Sequence, residues 1–206
     1  MDLSVPLGVV TPTLDAAVLQ ALATTSWSSG AQVHRAAGRG SVDGVRKVLI
    51  RLLGQGIVQA QDQPPATLYR LNRDHVAAEA IVALTRLRQV IIDRIVSEVS
   101  AWNPPLLHAS LFGSFARGEA DSRSDIDILL IPEVGEDAAG PGAEEEAARL
   151  AKDVYAWTGN RAHIVTPTLE VVASMVAAGD PLVESWRVEQ IHLAGVRLSE
   201  VLRSAT

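Results

Sequence analysis

Two acidic residues one position apart, Asp125 and Asp127, lead into the apolar run Ile128-Leu129-Leu130-Ile131. Strand side chains alternate between faces, so both carboxylates project from one face. Ile126 and Ile128 then point the other way, into a core. Neighbouring carboxylates repel each other unless a cation lies between them. Hard oxygen donors suit Mg²⁺, with Mn²⁺ as an alternative. Upstream, Gly113 and Ser114 close a second apolar run (Leu106, Leu107, Leu111, Phe112) and precede a short helical segment. Glycine lets a backbone approach a phosphate closely, and the N–H groups of a helix start bind anions. A phosphate cradle beside metal-binding carboxylates is the equipment of phosphoryl or nucleotidyl transfer.

The stretch LFGSFARGEADSRSDIDILLI, residues 111–131, resembles the polymerase-β-like nucleotidyltransferases, in particular the small minimal nucleotidyltransferase group. Their pattern is Gly-Ser, often followed by Ala-Arg-Gly, then Ser-Asp-x-Asp on the next strand. The matching positions are Gly113, Ser114, Ala116, Arg117 and Gly118, then Ser124, Asp125 and Asp127. A lone Asp-x-Asp carries little weight; the combination at family spacing is specific. The resemblance covers roughly the last hundred residues, an ordinary domain size. It implies Mg²⁺-dependent transfer of a nucleoside monophosphate, AMP foremost, from an NTP to a protein, RNA or small-molecule acceptor. Gly113, Ser114 and Arg117 would hold the triphosphate, and Asp125 and Asp127 the metal. Arg117 reads equally well as the ion-pair partner of Asp121 or of a motif aspartate. The group includes antitoxins that modify a partner toxin, toxins that modify tRNA and antibiotic-modifying enzymes. The sequence does not choose among them.

The chain departs from the family at one position. Active members usually carry a third carboxylate on a neighbouring strand, where it binds a second metal or takes the acceptor proton. The matching strand here is Arg161-Ala162-His163-Ile164-Val165, which by alternation puts His163 where that carboxylate is expected. Imidazole is a poor ligand for Mg²⁺ but can accept a proton in the neutral range. The expected catalytic set is therefore Asp125, Asp127 and His163. Glu170 is the nearest downstream carboxylate and replaces His163 if the strand is offset.

These residues need a framework to hold them. With 206 residues, 48% of them hydrophobic, the chain suits one large or two small domains with real cores. There is no cysteine, which excludes disulfides and thiolate metal sites and fits a cytoplasmic protein. The sequence carries neither a signal-peptide pattern nor an apolar run long enough to span a membrane. Residues 1–100 hold 10 basic and 8 acidic side chains; the remainder holds 8 and 16. A basic-leaning front and an acidic back suggest two jobs.

The front half reads as three helices and a hairpin. A helix starting at Thr13 is broken at Trp27–Gly30; a second spans Gln32–Ala37, and Ser41 caps a third over Val42–Leu53. Ile57–Ala60 and Thr67–Leu71 alternate like two strands joined by the polar turn Gln61–Pro65. This order, and the wording GSVDGVRKVLIRLLGQGIV, resembles a winged helix-turn-helix domain of bacterial transcription regulators. Ser28–Arg51 carries five basic residues against Asp43 alone. The resemblance implies binding to duplex DNA, with Arg39, Ser41, Arg46 and Lys47 at the interface. A packing or dimerisation module with a solvated basic face would share this pattern.

Residues 74–101 read as one long connector helix, burying surface against both domains or against a second copy of the chain. Asn103-Pro104-Pro105 ends it. Downstream the pattern gives an acidic glycine-rich loop over Glu133–Gly142, helices over 143–158, from Thr168, and over 181–188, a short strand over 190–193, and a last helix over 198–203. The expected class is α+β: a winged helix-turn-helix domain (1–73), a connector helix (74–104) and a nucleotidyltransferase α/β domain with a small mixed sheet (105–206). Two functions fit it. One is a nucleotidyltransferase coupled to a DNA-binding domain. The other is a DNA-binding, antitoxin-like regulator whose second domain senses nucleotide or has lost turnover.

Overall fold

The computed structural model describes residues 1–103, 105–133 and 141–204. It divides into two compact units, one of Asp2 and Ser4–Arg88, the other of Met1, Leu3 and Gln89–Thr206. No helix among the described residues is long and apolar enough to cross a membrane.

The first unit contains α1 (Leu14–Thr24), β1 (Ser28–Ser29), α2 (Gly30–Ala37), α3 (Val42–Gly54), β2 (Val58–Gln63), β3 (Ala66–Leu71) and α4 (Ala78–Thr85). α3 forms where Val45, Val48, Leu49 and Leu52 recur at helical spacing, and all four are buried. They pack with Val18, Leu22 and Val33 of the preceding helices. The Ser41 hydroxyl caps α3, accepting from the Gly44 N–H at 3.1 Å. Ser29 and Gln32 form a reciprocal capping box, so α2 begins two residues before the expected Gln32.

The three strands form an antiparallel sheet in the order β1-β3-β2. Two expectations change here. Ser28 and Ser29, read as part of a helix break, pair with Tyr69 and Leu68 as an edge strand. Gln61–Gln63, read as turn, continue β2 and pair with Leu68–Ala66, leaving Pro64-Pro65 as the turn. The backbone ladder extends past the last apolar residue because its hydrogen bonds do not depend on side-chain polarity.

The single connector helix is also corrected. It is two helices, α4 and α5 (Leu87–Ser100), joined at Arg86, whose backbone sits at φ −93° and ψ 0°. The Thr85 hydroxyl bonds the Val82 carbonyl at 2.8 Å, a side-chain competition that weakens a helix end. α4 packs in the core of the first unit, while Ile91, Ile95 and Val99 of α5 pack in the second.

The second unit adds β4 (Leu106–Phe112), α6 (Gly113–Arg117), β5 (Ile126–Pro132), α7 (Pro141–Thr158), β6 (Ala162–Val165), α8 (Leu169–Ala178), α9 (Pro181–Val188), β7 (Ile191–Gly195) and α10 (Leu198–Ser204). Most of the expected acidic loop, 134–140, lies outside the described residues. The sheet runs β6-β5-β4-β7, with β5 and β6 parallel and the other pairs antiparallel. Strand alternation splits its side chains between two cores. Leu111, Ile126, Ile128 and Leu130 face α5 and α7, meeting Ile95, Leu150 and Val154. Phe112, Leu129 and Ile131 face α8–α10, meeting Val172, Trp186 and Val201. His108 is a buried strand residue; its ring bonds the Val196 carbonyl at 2.8 Å and the Ser110 hydroxyl at 2.9 Å.

Candidate active site

Asp127 stands at the second position of β5, between two neighbours set by strand register. Phe112 lies opposite it on β4 and His163 on parallel β6. The imidazole Nδ1 of His163 is 3.2 Å from Oδ1 of Asp127. Asp127 is 23% exposed and His163 61%, so the carboxylate is sheltered and the ring reaches solvent. Burial pushes the Asp127 carboxyl above its ordinary value; the His163 hydrogen bond and charge pull it back, Asp125 pushes it up and Arg117 draws it down.

β4 ends where the chain must turn beneath that carboxylate. Gly113 adopts φ +68°, and a Cβ there would collide with Oδ2 of Asp127 and lie 3.2 Å from its Cγ. Only glycine provides both the left-handed backbone and the room. The turn starts α6, and the Gly113 backbone lies directly against Asp127. Among the described residues the Ser114 hydroxyl has no hydrogen-bond partner in the protein. Asp125 precedes β5 and is exposed.

Arg117 is not paired with Asp121 or a motif aspartate. Its Nε donates to Glu119 at 2.7 Å, and a terminal nitrogen donates to Glu189, which follows α9. Those two carboxylates hold the guanidinium further into its charged form. Asp121 instead accepts from the backbone N–H groups of Arg123 (2.8 Å) and Ser124 (3.1 Å), shaping the loop that leads to Asp125. Glu170 sits in the first turn of α8, its carboxyl held low by its own backbone N–H and the Thr168 hydroxyl. It is tied to its own helix end.

One residue that sequence reasoning missed organises this site. Asn160, 2% exposed, donates through Nδ2 to the carbonyl oxygens of Asp121 and Ser124. The next carbonyl, of Arg161, accepts from the N–H of Ile126 at 2.8 Å. In the sequence Gly159-Asn160 reads only as a helix breaker, and nothing local signals partners so far upstream.

Asp125 and Asp127 offer hard oxygen ligands, and Mg²⁺ commonly binds through one or two carboxylates and substrate phosphates. They fit one cation of that kind. The neighbouring position on β6 supplies an imidazole, and among the described residues no group of three or more His, Asp or Glu side chains is arranged to hold a metal.

In the first unit, Arg39, Ser41, Arg46 and Lys47 are all exposed. Lys47 is engaged with Asp43 at 2.8 Å, one helical turn away, and Arg39 lies 3.5 Å from Asp2. Arg46 makes no ion pair among the described residues.

No curated protein matches the chain. A chain of a solved structure described as "Crystal structure of the toxin-antitoxin with AMP-PNP" is similar over 55% of this chain and 82% of its own, at 20% identity and a TM-score of 0.40. Residues 92–170, which include the Gly113 turn, Asp125, Asp127 and His163, match the nucleotidyltransferase domain family.

Proposed function

We propose that the second unit transfers a nucleoside monophosphate, AMP foremost, from an NTP to a hydroxyl of a protein, RNA or small-molecule acceptor. The observation that carries this reading is the contact of His163 Nδ1 with Asp127 Oδ1 beside the Gly113 turn. Asp125 and Asp127 would hold Mg²⁺ or Mn²⁺, which when bound neutralises triphosphate charge and polarises the α-phosphate. The Gly113-Ser114 backbone and the Ser114 hydroxyl bind the β- and γ-phosphates, with Arg117 nearby as a cation. Ionised Asp127 accepts from Nδ1–H of His163, which leaves the lone pair of the neutral ring on Nε2. Nε2 takes the proton of the acceptor hydroxyl as its oxygen attacks the α-phosphorus. A new O–P bond forms, the bond to the β-phosphate oxygen breaks, and pyrophosphate leaves.

The first unit, on this proposal, is a winged helix-turn-helix that brings the chain to duplex DNA in the cytoplasm. The solvent-exposed side of α3 and the β2–β3 hairpin support it. A partner protein or RNA serves as acceptor, and a second copy of the chain is a further candidate partner.

A second reading is favoured by a specific observation, the imidazole at the position where the family carries its third carboxylate. Here the domain binds NTP without turnover, and the protein is a DNA-binding regulator. One experiment separates the two: incubation with α-labelled NTP, Mg²⁺ or Mn²⁺, and candidate protein and RNA acceptors. Label transfer by wild type and its loss in His163→Ala, with NTP binding retained, supports the enzyme. No transfer by wild type, with some gained by His163→Asp, supports the regulator. Equal transfer by wild type and His163→Ala removes His163 from the mechanism.

A further inference from the structure

The second unit also holds a cavity of about 630 Å³ between the end of α9 and α10, lined by Arg187, Gln190, Leu198, Ser199, Leu202 and Arg203. Its volume falls in the range of about 300–1,000 Å³ typical of small-molecule sites. The half of the chain that contains it is acidic, yet two of its arginines meet here. Neither is neutralised at close range. Arg187 lies 3.7 Å from Glu184, a long contact on a half-exposed side chain. Arg203 donates through Nε to the Ser199 carbonyl at 3.2 Å and makes no ion pair among the described residues. Arg149, by contrast, meets Glu98 at 2.6 Å and Glu146 at 3.0 Å. Gln190 also lines the cavity, but its side-chain oxygen is closed off from it. Leu198 and Leu202 give the cavity an apolar wall.

We propose that this cavity binds a small organic phosphate, a phosphate monoester with a short carbon skeleton. Guanidinium forks match the phosphate oxygens. The leucine wall contacts the ligand's carbon skeleton. Its lining shares no residue with the Asp127 site, and the proposal does not rest on the function proposed there.

The test is calorimetry on the full chain without divalent metal, titrating glycerol 3-phosphate, methyl phosphate, inorganic phosphate and glycerate. Glycerol 3-phosphate should bind most tightly, and Arg187→Gln with Arg203→Gln should weaken it roughly tenfold or more. Asp127→Asn should leave the binding unchanged. Should the double variant misfold, Arg203→Gln alone, on an exposed side chain, carries the same expectation with a smaller loss. Absence of binding, equal binding in the arginine variants, equal binding of glycerate, or loss in Asp127→Asn would each overturn the proposal.

Discussion

Asn160 Nδ2 lies 3.0 Å from the carbonyl oxygen of Ser124, and the same amide group meets the carbonyl oxygen of Asp121 at 2.9 Å. It therefore ties the loop before Asp125 to the strand that carries His163. Asn160→Leu removes both donors and leaves two carbonyl oxygens without their partner. The expected cost is about 1–3 kcal/mol in urea unfolding, the usual penalty for buried polar groups left unsatisfied. Metal-dependent NTP binding should weaken further than stability alone explains, because the loop sets where Asp125 sits. A variant as stable as wild type, with unaltered metal dependence, would show that the amide positions nothing.

The resemblance implies a third-carboxylate position on a neighbouring strand, and alternation puts His163 there; its contact with Asp127 follows from the β5–β6 register, which the sequence does not contain. Gly113 reads in the sequence as room for a phosphate, whereas the close approach seen is to the Asp127 carboxylate. Asn160 was not legible, because its partners lie in a loop that only folding brings near. The Glu189 that meets Arg117 is distant in the same way. The joint at Arg86 was hidden by apolar periodicity that runs unbroken through Leu84, Leu87 and Ile91. β1 was hidden by its length, since Ser28–Ser29 pairs through backbone alone.

Gly113→Ala tests the close approach. The left-handed backbone costs a non-glycine residue roughly 1–2 kcal/mol, and the new methyl group must displace the Asp127 carboxylate. Metal-dependent NTP binding should fall sharply while circular dichroism reports a folded chain. Unchanged NTP affinity would separate this turn from nucleotide binding.

The raised Asp127 carboxyl predicts a pH dependence for the metal-free protein. Burial favours its neutral form, so it is neutral to folding below its ordinary value of 3.8 and opposes folding above the raised one. Its contribution to stability is thus lost as pH rises through the window just above 3.8. Asp127→Asn keeps an oxygen toward His163 and lacks this ionisation. The unfolding free energy of the variant relative to wild type should increase across that window and then level off. A difference independent of pH would contradict the burial argument.

The basic face of α3 yields a prediction for DNA. Arg46→Ala should weaken duplex binding and reduce the slope of log affinity against log salt by about one, the signature of one lost phosphate contact. Lys47 is held by Asp43, so Asp43→Ala should strengthen binding at low salt by freeing it. No binding to random or upstream DNA at low salt would end this reading of the first unit.

Two carboxylates occupy the guanidinium of Arg117, which ends the short helix begun by Gly113 and Ser114. Glu119 is two residues away and exposed; Glu189 comes from the far end of α9 and is only 28% exposed. A guanidinium shared between them has little charge left for a phosphate. If Arg117 serves the triphosphate, an incoming nucleotide must compete with Glu189 for it. Glu189→Gln removes that competitor while keeping the side chain's shape. NTP affinity should then rise several-fold, up to the roughly tenfold that about 1.4 kcal/mol provides. Arg117→Ala should lower affinity, and the double variant should match Arg117→Ala, since the glutamate acts only through the arginine. If the ion pair is purely structural, Glu189→Gln should reduce thermal stability and leave nucleotide affinity where it was. Calorimetric titration of the three variants with an NTP and Mg²⁺, beside their melting curves, distinguishes these outcomes.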